Sequence, residues 1–313
     1  MAYELVFTSA EKGVKPGTSG FCTVAHTRGM LPSTVKLLES ISSYKVPNKK
    51  YTENETSSTP VVFSHYRTKL QGQDFSIISR LSQAGRDHTN RGNKIAHHLL
   101  LKPSERPVGG PAWLIKQDDV FIKTWDDKAQ LFSEERSIPQ GDEEYSYAAY
   151  WEEVTGDAGW AGVVAQTLDQ SSSKNVYLVF DSGEDTKKLV SEAVNLLGKE
   201  KRWQVTFNTY FTSLPAGFDC RIRCCLPDNP LLKDLKVRNK SLFLNLASLS
   251  NEPPGNLYVK LARGEISRQD LTEKLGETDS LEAPVKENKK EGDGAEFKVM
   301  NNRNKKHIRF NHD

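Results

Sequence analysis

The chain has 313 residues and a formal net charge of +2, with 27% charged and 36% hydrophobic residues. This length fits one large domain or two ordinary ones, and the composition is that of a folded protein with a polar extension. The near balance of 43 basic and 41 acidic residues excludes a histone-like or strongly acidic protein and favours no class of partner.

The first forty residues predict two paired strands followed by a helix. Residues 4–8 and 20–25 are rich in Val, Phe and Thr, and the segment between them has the Gly, Lys and Pro content of a loop. In residues 33–41 the apolar side chains recur near helical spacing, and Pro32 stands where a helix commonly begins. The sequence therefore predicts a strand, a loop, a second strand and a short helix.

A β-hairpin is predicted next, after a polar surface loop at residues 45–60. Residues 61–70 and 75–81 have strand composition and flank the sequence QGQD, which is typical of a turn between antiparallel strands. Residues 94–101 contain IAHHLLL, a segment that is short for a helix and suits a buried strand. Together these segments predict a mainly antiparallel N-terminal sheet with a helix, in an α+β fold.

The second half of the chain predicts a β-α-β unit. Residues 175–180, 184–197 and 203–210 have the patterns of a strand, an amphipathic helix and a strand. A crossover of this length usually pairs its two strands in parallel. The apolar segments 220–226 and 241–246 are placed to extend the same sheet.

Two polar segments flank this second lobe. Residues 126–157 contain ten acids and two bases, which predicts either a partly ordered acidic connector or a solvated linker. Beyond residue 253 the charge rises and aromatic residues become scarce, which predicts a largely disordered C-terminal tail. The predicted organisation is an N-terminal lobe at 1–125, an acidic connector at 126–170, a second lobe at 171–252 and a polar tail at 253–313.

The tail ends in a short basic cluster without an aromatic platform, so nucleic-acid binding is not favoured. The bases of this cluster are Lys298, Arg303, Lys305, Lys306 and Arg309. No stretch of 18 or more apolar residues and no secretory signal pattern occurs in the sequence. The four cysteines are too few and too unevenly spaced for a disulfide framework, which indicates a cytoplasmic protein.

Cofactor and metal motifs are missing from the sequence, which contains no phosphate-binding loop, dinucleotide fingerprint or HExxH zinc signature. The cluster Cys220, Cys224 and Cys225 lacks the paired spacing of a zinc site and predicts buried free thiols. We therefore predict no cofactor and no metal.

Polar side chains are unusually dense in residues 80–98, just before the apolar strand. This segment holds the candidate binding residues Arg80, Arg86, Asp87, Arg91 and Asn93. Guanidinium groups bind carboxylate or phosphate through two parallel hydrogen bonds, so an anionic ligand or an acidic partner loop fits this pattern. Internal salt bridges, such as an arginine paired with Asp87, are the alternative.

Histidines offer a second interpretation. His65 lies in one predicted strand, and His97 and His98 lie in another, where neighbouring side chains point to opposite faces. A cross-strand pair that includes His65 could therefore serve as a metal ligand or general base. The alternative function is a His-dependent, possibly metal-assisted hydrolase or nucleotide-processing enzyme, against the simpler reading that each imidazole makes a hydrogen bond within the sheet.

Several long motifs resemble the N-terminal domain of bacterial GTPase-associated proteins. They are ELVFTSAEKG at 4–13, GFCTVAHTRGM at 20–30, SHYR at 64–67, SRLSQAGRDHTNRGNKIAHH at 79–98 and TFNTYFTSLPAG at 206–217. The resemblance implies an accessory protein encoded with a GTPase and serving a multi-component conflict or signalling system. It supplies no catalytic residue to carry over.

The main hypothesis is therefore a non-enzymatic adaptor or regulator that binds a GTPase or another protein subunit. The residues predicted to shape its recognition surface are Arg28, Arg80, Arg86, Asp87, Arg91, Asn93 and His97.

Overall fold

One mixed sheet organises the described part of the chain, which comprises residues 2–43, 60–126, 128–143, 147–235, 241–249 and 252–281 of the computed structural model. In chain order the strands are β1 Tyr3–Ala10, β2 Gly20–Thr27, β3 Val62–Leu70, β4 Gln73–Arg86, β5 Gly92–Leu101, β6 Gln130–Phe132, β7 Asn175–Val179, β8 Phe207–Asn208, β9 Ile222–Cys225 and β10 Ser241–Asn245. They lie side by side in the order β10-β7-β9-β8-β3-β4-β5-β1-β2-β6.

Helices and sheet together confirm the predicted α+β class. The helices are α1 Pro32–Ser40, α2 Pro111–Leu114, α3 Ala149–Thr155, α4 Gly159–Gln170, α5 Thr186–Asn195, α6 Lys199–Arg202, α7 Leu231–Leu235, α8 Leu257–Ala262 and α9 Arg268–Leu281. Within the described ranges, none of these helices is both long and apolar enough to cross a bilayer.

The N-terminal half of the sheet is antiparallel, as predicted. β3 and β4 are joined by a two-residue turn in which Gln71 and Gly72 both have positive φ, the geometry that matches the twist of a tight hairpin. β5 pairs with both β4 and β1. The predicted helix α1 begins at Pro32, and its Leu38 lies in one buried cluster with Leu5 and Ile77. We call the side of the sheet that carries this cluster the α1 face.

The C-terminal half of the sheet is parallel, and here one prediction is wrong. β7 and β8 do not pair, because β9 lies between them and is parallel to both. Ile222 and Cys224 of β9 are fully buried, so this short apolar strand takes the central position beside β7. β8 has only two residues and joins the two halves of the sheet through antiparallel pairing with β3.

Much of the acidic segment is folded. Its residues 130–132 form edge strand β6 beside β2, and Trp151 of α3 is fully buried. The carboxylate of Glu192, on α5, accepts hydrogen bonds from the backbone N–H groups of Tyr150 and Trp151 at 3.0 and 3.1 Å. This contact holds the first turn of α3 against α5.

The start of the predicted tail is also folded, which corrects the boundary placed at residue 253. Tyr258, Val259 and Leu261 of α8 are at most 4% exposed, and α8 packs against α4. The correction has a physical reason: these apolar residues cover a buried face of α4, although the surrounding sequence is polar. Residues 1–273 form one compact unit, and a second unit begins at Lys274.

Some predictions fall outside the described residues. These are the loop at 44–59 and the basic cluster of Lys298, Arg303, Lys305, Lys306 and Arg309.

Candidate functional site

Asp87 organises the end of the β4–β5 hairpin. Its Oδ1 accepts hydrogen bonds from the Thr89 backbone N–H at 2.9 Å, the Thr89 hydroxyl at 2.6 Å and the Arg91 N–H at 3.0 Å. Its Oδ2 accepts from the Ser9 hydroxyl on β1 at 2.9 Å. The Thr89 hydroxyl is the largest cause that holds the pKa of Asp87 well below its ordinary value, because these hydrogen bonds favour the ionised carboxylate.

Asn93 fastens the same hairpin to β1. Its Oδ1 accepts hydrogen bonds from the Thr8 hydroxyl at 3.1 Å and the Ser9 N–H at 3.2 Å. Asn93 and Asp87 are therefore used inside the molecule, where they fix the hairpin end relative to its neighbour. The sequence alternative of internal pairing describes these two residues.

Two arginines of the hairpin end remain at the surface. Arg86 is exposed, and its Nη1 donates to the Asn90 carbonyl at 2.9 Å. The side chain of Arg91 is 73% exposed, with its Nε on the Thr89 hydroxyl and its Nη2 3.8 Å from Asp87. Because both arginines are anchored by local hydrogen bonds and still reach solvent, they are the predicted residues best placed to meet a partner.

A neighbouring loop adds charge to this edge. β1 and β5 are antiparallel, with Thr8 opposite Ile95, so the β1–β2 loop and the β4–β5 hairpin end lie at the same end of the sheet. The loop contributes the exposed residues Lys12 and Lys15. We call the set Lys12, Lys15, Arg86 and Arg91 the basic edge. The acids among the same two segments are exposed Glu11 and Asp87, and Asp87 is already bound internally.

The other predicted binding residues lie elsewhere. Arg28 is exposed at the far end of β2, about 25 Å along the strand from its first residue at ~3.3 Å per residue. Arg80 is half-buried in the middle of β4, directly opposite His97, and its Nη1 donates to the Ser82 hydroxyl at 2.9 Å. Burial lowers the pKa of Arg80. The seven predicted residues are thus divided among three places.

His97 belongs to a buried polar network that the sequence did not reveal. Its Nε2 lies 2.9 Å from Glu4 Oε2, and its Nδ1 accepts a hydrogen bond from the Ile122 N–H at 3.1 Å. A neutral imidazole with its proton on Nε2 satisfies both contacts, and burial lowers the pKa of His97. Arg136 donates to the same Glu4 oxygen at 3.2 Å. Sequence separations of 93 and 132 residues concealed these partners.

His98 and His65 are also fully buried and hydrogen-bonded at both ring nitrogens. His98 lies 2.7 Å from the Ser79 hydroxyl and 2.9 Å from the Ser42 hydroxyl. His65 lies 2.7 Å from the Val205 carbonyl and 3.0 Å from the Ser76 hydroxyl. Desolvation lowers the pKa of each of these histidines to about 3.

The three imidazoles do not converge. His97 and His98 point to opposite faces of β5, as predicted, with His98 on the α1 face. His65 shares the other face with His97, but β4 lies between their strands, so their side chains are at least about 10 Å apart at ~4.8 Å per strand. This geometry gives no support to a shared metal or acid-base pair. Among the described residues, no group of three His, Cys, Asp or Glu side chains is placed to hold a metal.

The cysteines are buried free thiols, as predicted. Cys220, Cys224 and Cys225 are at most 1% exposed, and Cys22 is 7% exposed. Burial raises the pKa of all four thiols, that of Cys225 to about 12. These groups fill the core and are not activated nucleophiles.

Comparison with known families agrees with this division of the chain. Residues 1–138 match the family described as GTPase-associated protein 1, N-terminal domain type 2, and residues 148–248 match GTPase-associated protein 1, middle domain. Neither curated proteins nor solved structures give a match. The first domain covers the antiparallel strands and the basic edge, and the second covers the parallel strands with α3 to α7. The chain belongs to the GTPase-associated protein 1 family.

Proposed function

We propose that the chain is a non-enzymatic accessory subunit, of adaptor or regulatory type, that binds a GTPase through the basic edge. Family membership supports a GTPase-related accessory role. The resemblance of the N-terminal motifs adds the setting, a bacterial multi-component conflict or signalling system in the cytoplasm. The observation that carries the proposal is the contrast between the exposed, anchored arginines of the basic edge and the buried, neutral histidines.

Electrostatics favour a protein partner with an acidic surface. The basic edge presents four bases, whereas the nearest acid, Asp87, is committed to hydrogen bonds with Ser9, Thr89 and Arg91. Its charge therefore serves mainly to fix the loop, and an approaching acidic patch meets a net positive surface. Complementary charges of this kind increase the association rate and select against partners with the wrong charge.

Preorganisation is the second supporting point. The hairpin end is tied to β1 through Asp87 and Asn93, so Arg86 and Arg91 project from a fixed loop. A partner that binds such a loop loses less conformational entropy than one that must first order it. In this proposal Arg86 and Arg91 make the contact, and Asp87 and Asn93 position them.

Calorimetry with the GTPase encoded beside this chain tests the proposal. We expect Arg86→Ala combined with Arg91→Ala to weaken binding by about tenfold or more, and to reduce the dependence of the affinity on salt. Arg28→Ala is the matched control, since Arg28 is exposed at the opposite end of β2, and it should leave the affinity unchanged. Equal affinity of the wild type and the double variant would show that the basic edge is not the contact.

A further inference from the structure

Arg106 carries buried donors that have no partner. Its Nε and Nη2 are inaccessible to solvent and form no hydrogen bond. The guanidinium carbon lies 5.7 Å from the centre of the Trp203 ring, and the Trp203 Nε1 donates to the Pro107 carbonyl at 2.7 Å. Because an unsatisfied buried donor is costly, and more so on a charged group, this arrangement needs an explanation.

Further positive charge surrounds Arg106. Arg67 and Lys69 alternate with buried positions on β3 and lie on the same face as His65, opposite Ser76 and Asp74 respectively. Arg67 is exposed, and its charge, after desolvation, is a cause of the lowered pKa of Arg106. The two guanidinium groups are thus close enough to repel each other.

The local acid does not neutralise these groups. Asp74 approaches Lys69 only to 4.0 Å, and both side chains are largely exposed. It forms no ion pair with Arg106 or Arg67 in the described part of the chain. The patch therefore has three bases and one acid, which leaves about two positive charges around the unpaired guanidinium.

We infer that Arg106 and Arg67 form a binding site for the phosphate group of a small molecule. A phosphate oxyanion supplies the acceptors that the Arg106 donors lack and also relieves the repulsion from Arg67. Its charge of nearly two matches the surplus on the patch, which a single carboxylate would only half neutralise. The Trp203 ring supports one side of the Arg106 guanidinium and limits its orientation.

Access to the site requires a local movement of the arginine. Arg106 is half-buried as a residue, so part of its side chain reaches the surface while Nε and Nη2 are covered. A turn of the guanidinium about its terminal bonds brings the covered donors to an arriving anion. The energy that the unpaired donors cost in the free protein favours this movement once an acceptor is available.

Inorganic phosphate is the direct probe, compared with chloride at equal ionic strength. We expect phosphate to raise the melting temperature of the full chain, by about 5 °C near saturation, and to give a calorimetric binding signal. Arg106→Met should abolish both effects. It should also melt at or above the wild-type temperature without phosphate, because it removes the unpaired donors and keeps the apolar stem. A purely structural arginine would not give that combination.

Two further variants keep the test decisive if Arg106→Met does not fold. Arg67→Met changes an exposed side chain and should weaken phosphate binding by about tenfold. Arg28→Met, at a distant exposed position, should bind phosphate like the wild type. A nucleoside diphosphate that binds more tightly than inorganic phosphate would identify a phosphate ester as the ligand, and equal binding would identify the free ion. If the wild type does not distinguish phosphate from chloride, or Arg106→Met and Arg67→Met retain its response, the inference is wrong.

Discussion

Glu4 on β1 accepts a hydrogen bond from His97 on β5 at 2.9 Å, inside the antiparallel half of the sheet. The same carboxylate oxygen accepts from Arg136 at 3.2 Å, and the Arg136 backbone exchanges two hydrogen bonds with Ala2. One buried acid thereby connects the first strand, a central strand and the end of the N-terminal domain.

Removal of this acid should destabilise the whole N-terminal half. In Glu4→Ala, the Nε2–H of His97 and one donor of Arg136 lose their acceptor in a site where Glu4 is 5% exposed. We expect the free energy of unfolding, measured by urea denaturation, to fall by about 3 kcal/mol or more. Glu265→Ala is the control, because Glu265 forms a partly exposed pair with Arg263 at 3.6 Å and should cost less than about 1 kcal/mol. Similar losses in the two variants would contradict a structural role for the buried network.

The buried histidines predict a loss of stability in mild acid. His65 and His98 take up protons in the folded state only near pH 3, whereas unfolded histidines do so near pH 6.5. Between these values the unfolded state binds more protons, so stability is complete above about pH 6.5 and falls as the pH decreases. Each histidine contributes a slope of about 1.4 kcal/mol per pH unit within that window.

Urea denaturation between pH 7.5 and pH 5 measures this slope. His98→Gln should be less stable at pH 7.5, because the contacts with Ser79 and Ser42 change, and its slope should decrease by one histidine's share. His88→Gln changes an exposed residue of the hairpin end and should reproduce the wild-type profile. A His98→Gln profile parallel to that of the wild type would show that His98 does not remain neutral in the folded protein.

The thiols should resist modification until the protein unfolds. Cys220, Cys224 and Cys225 are covered by the sheet, and burial raises the pKa of each thiol, which suppresses the reactive thiolate. We expect a disulfide reagent such as DTNB to react slowly in buffer and stoichiometrically in denaturant. Ser133→Cys places a thiol at an exposed position and should react at once. Rapid labelling of the wild type in buffer would show that these cysteines are accessible.

Local patterns in the sequence predict much of the fold, and long-range contacts account for what they miss. The QGQD turn and its flanking residues specify the β3–β4 hairpin, because register in a hairpin follows from the turn. The position of β9 between β7 and β8 depends instead on which strand buries best beside β7. In the same way, the density of arginines at 80–91 marks the hairpin end, but only the topology shows that Arg28 lies at the other end of β2.

The least expected element, α8, gives a sharp test because it packs against a glycine. A Cβ atom added to Gly162 of α4 would overlap the Tyr258 carbonyl and lie 2.5 Å from the Val259 backbone nitrogen. Backbone atoms cannot move aside as a flexible side chain can, so Gly162→Ala should force α8 away from α4. We expect a loss of about 1–3 kcal/mol in the free energy of unfolding, together with faster hydrogen exchange in residues 257–262.

Gly255 provides the matched control for this substitution. A Cβ atom at Gly255 meets no heavy atom within 4 Å, so Gly255→Ala should leave stability unchanged or raise it slightly by restricting the unfolded chain. Exchange in α8 should then remain slow, since Tyr258 and Val259 stay buried. Full wild-type stability of Gly162→Ala, with protected α8 amides, would mean that the two helices are not in close contact. A loss confined to Gly162→Ala would instead establish that the folded region continues through α8, past the boundary that composition alone indicates.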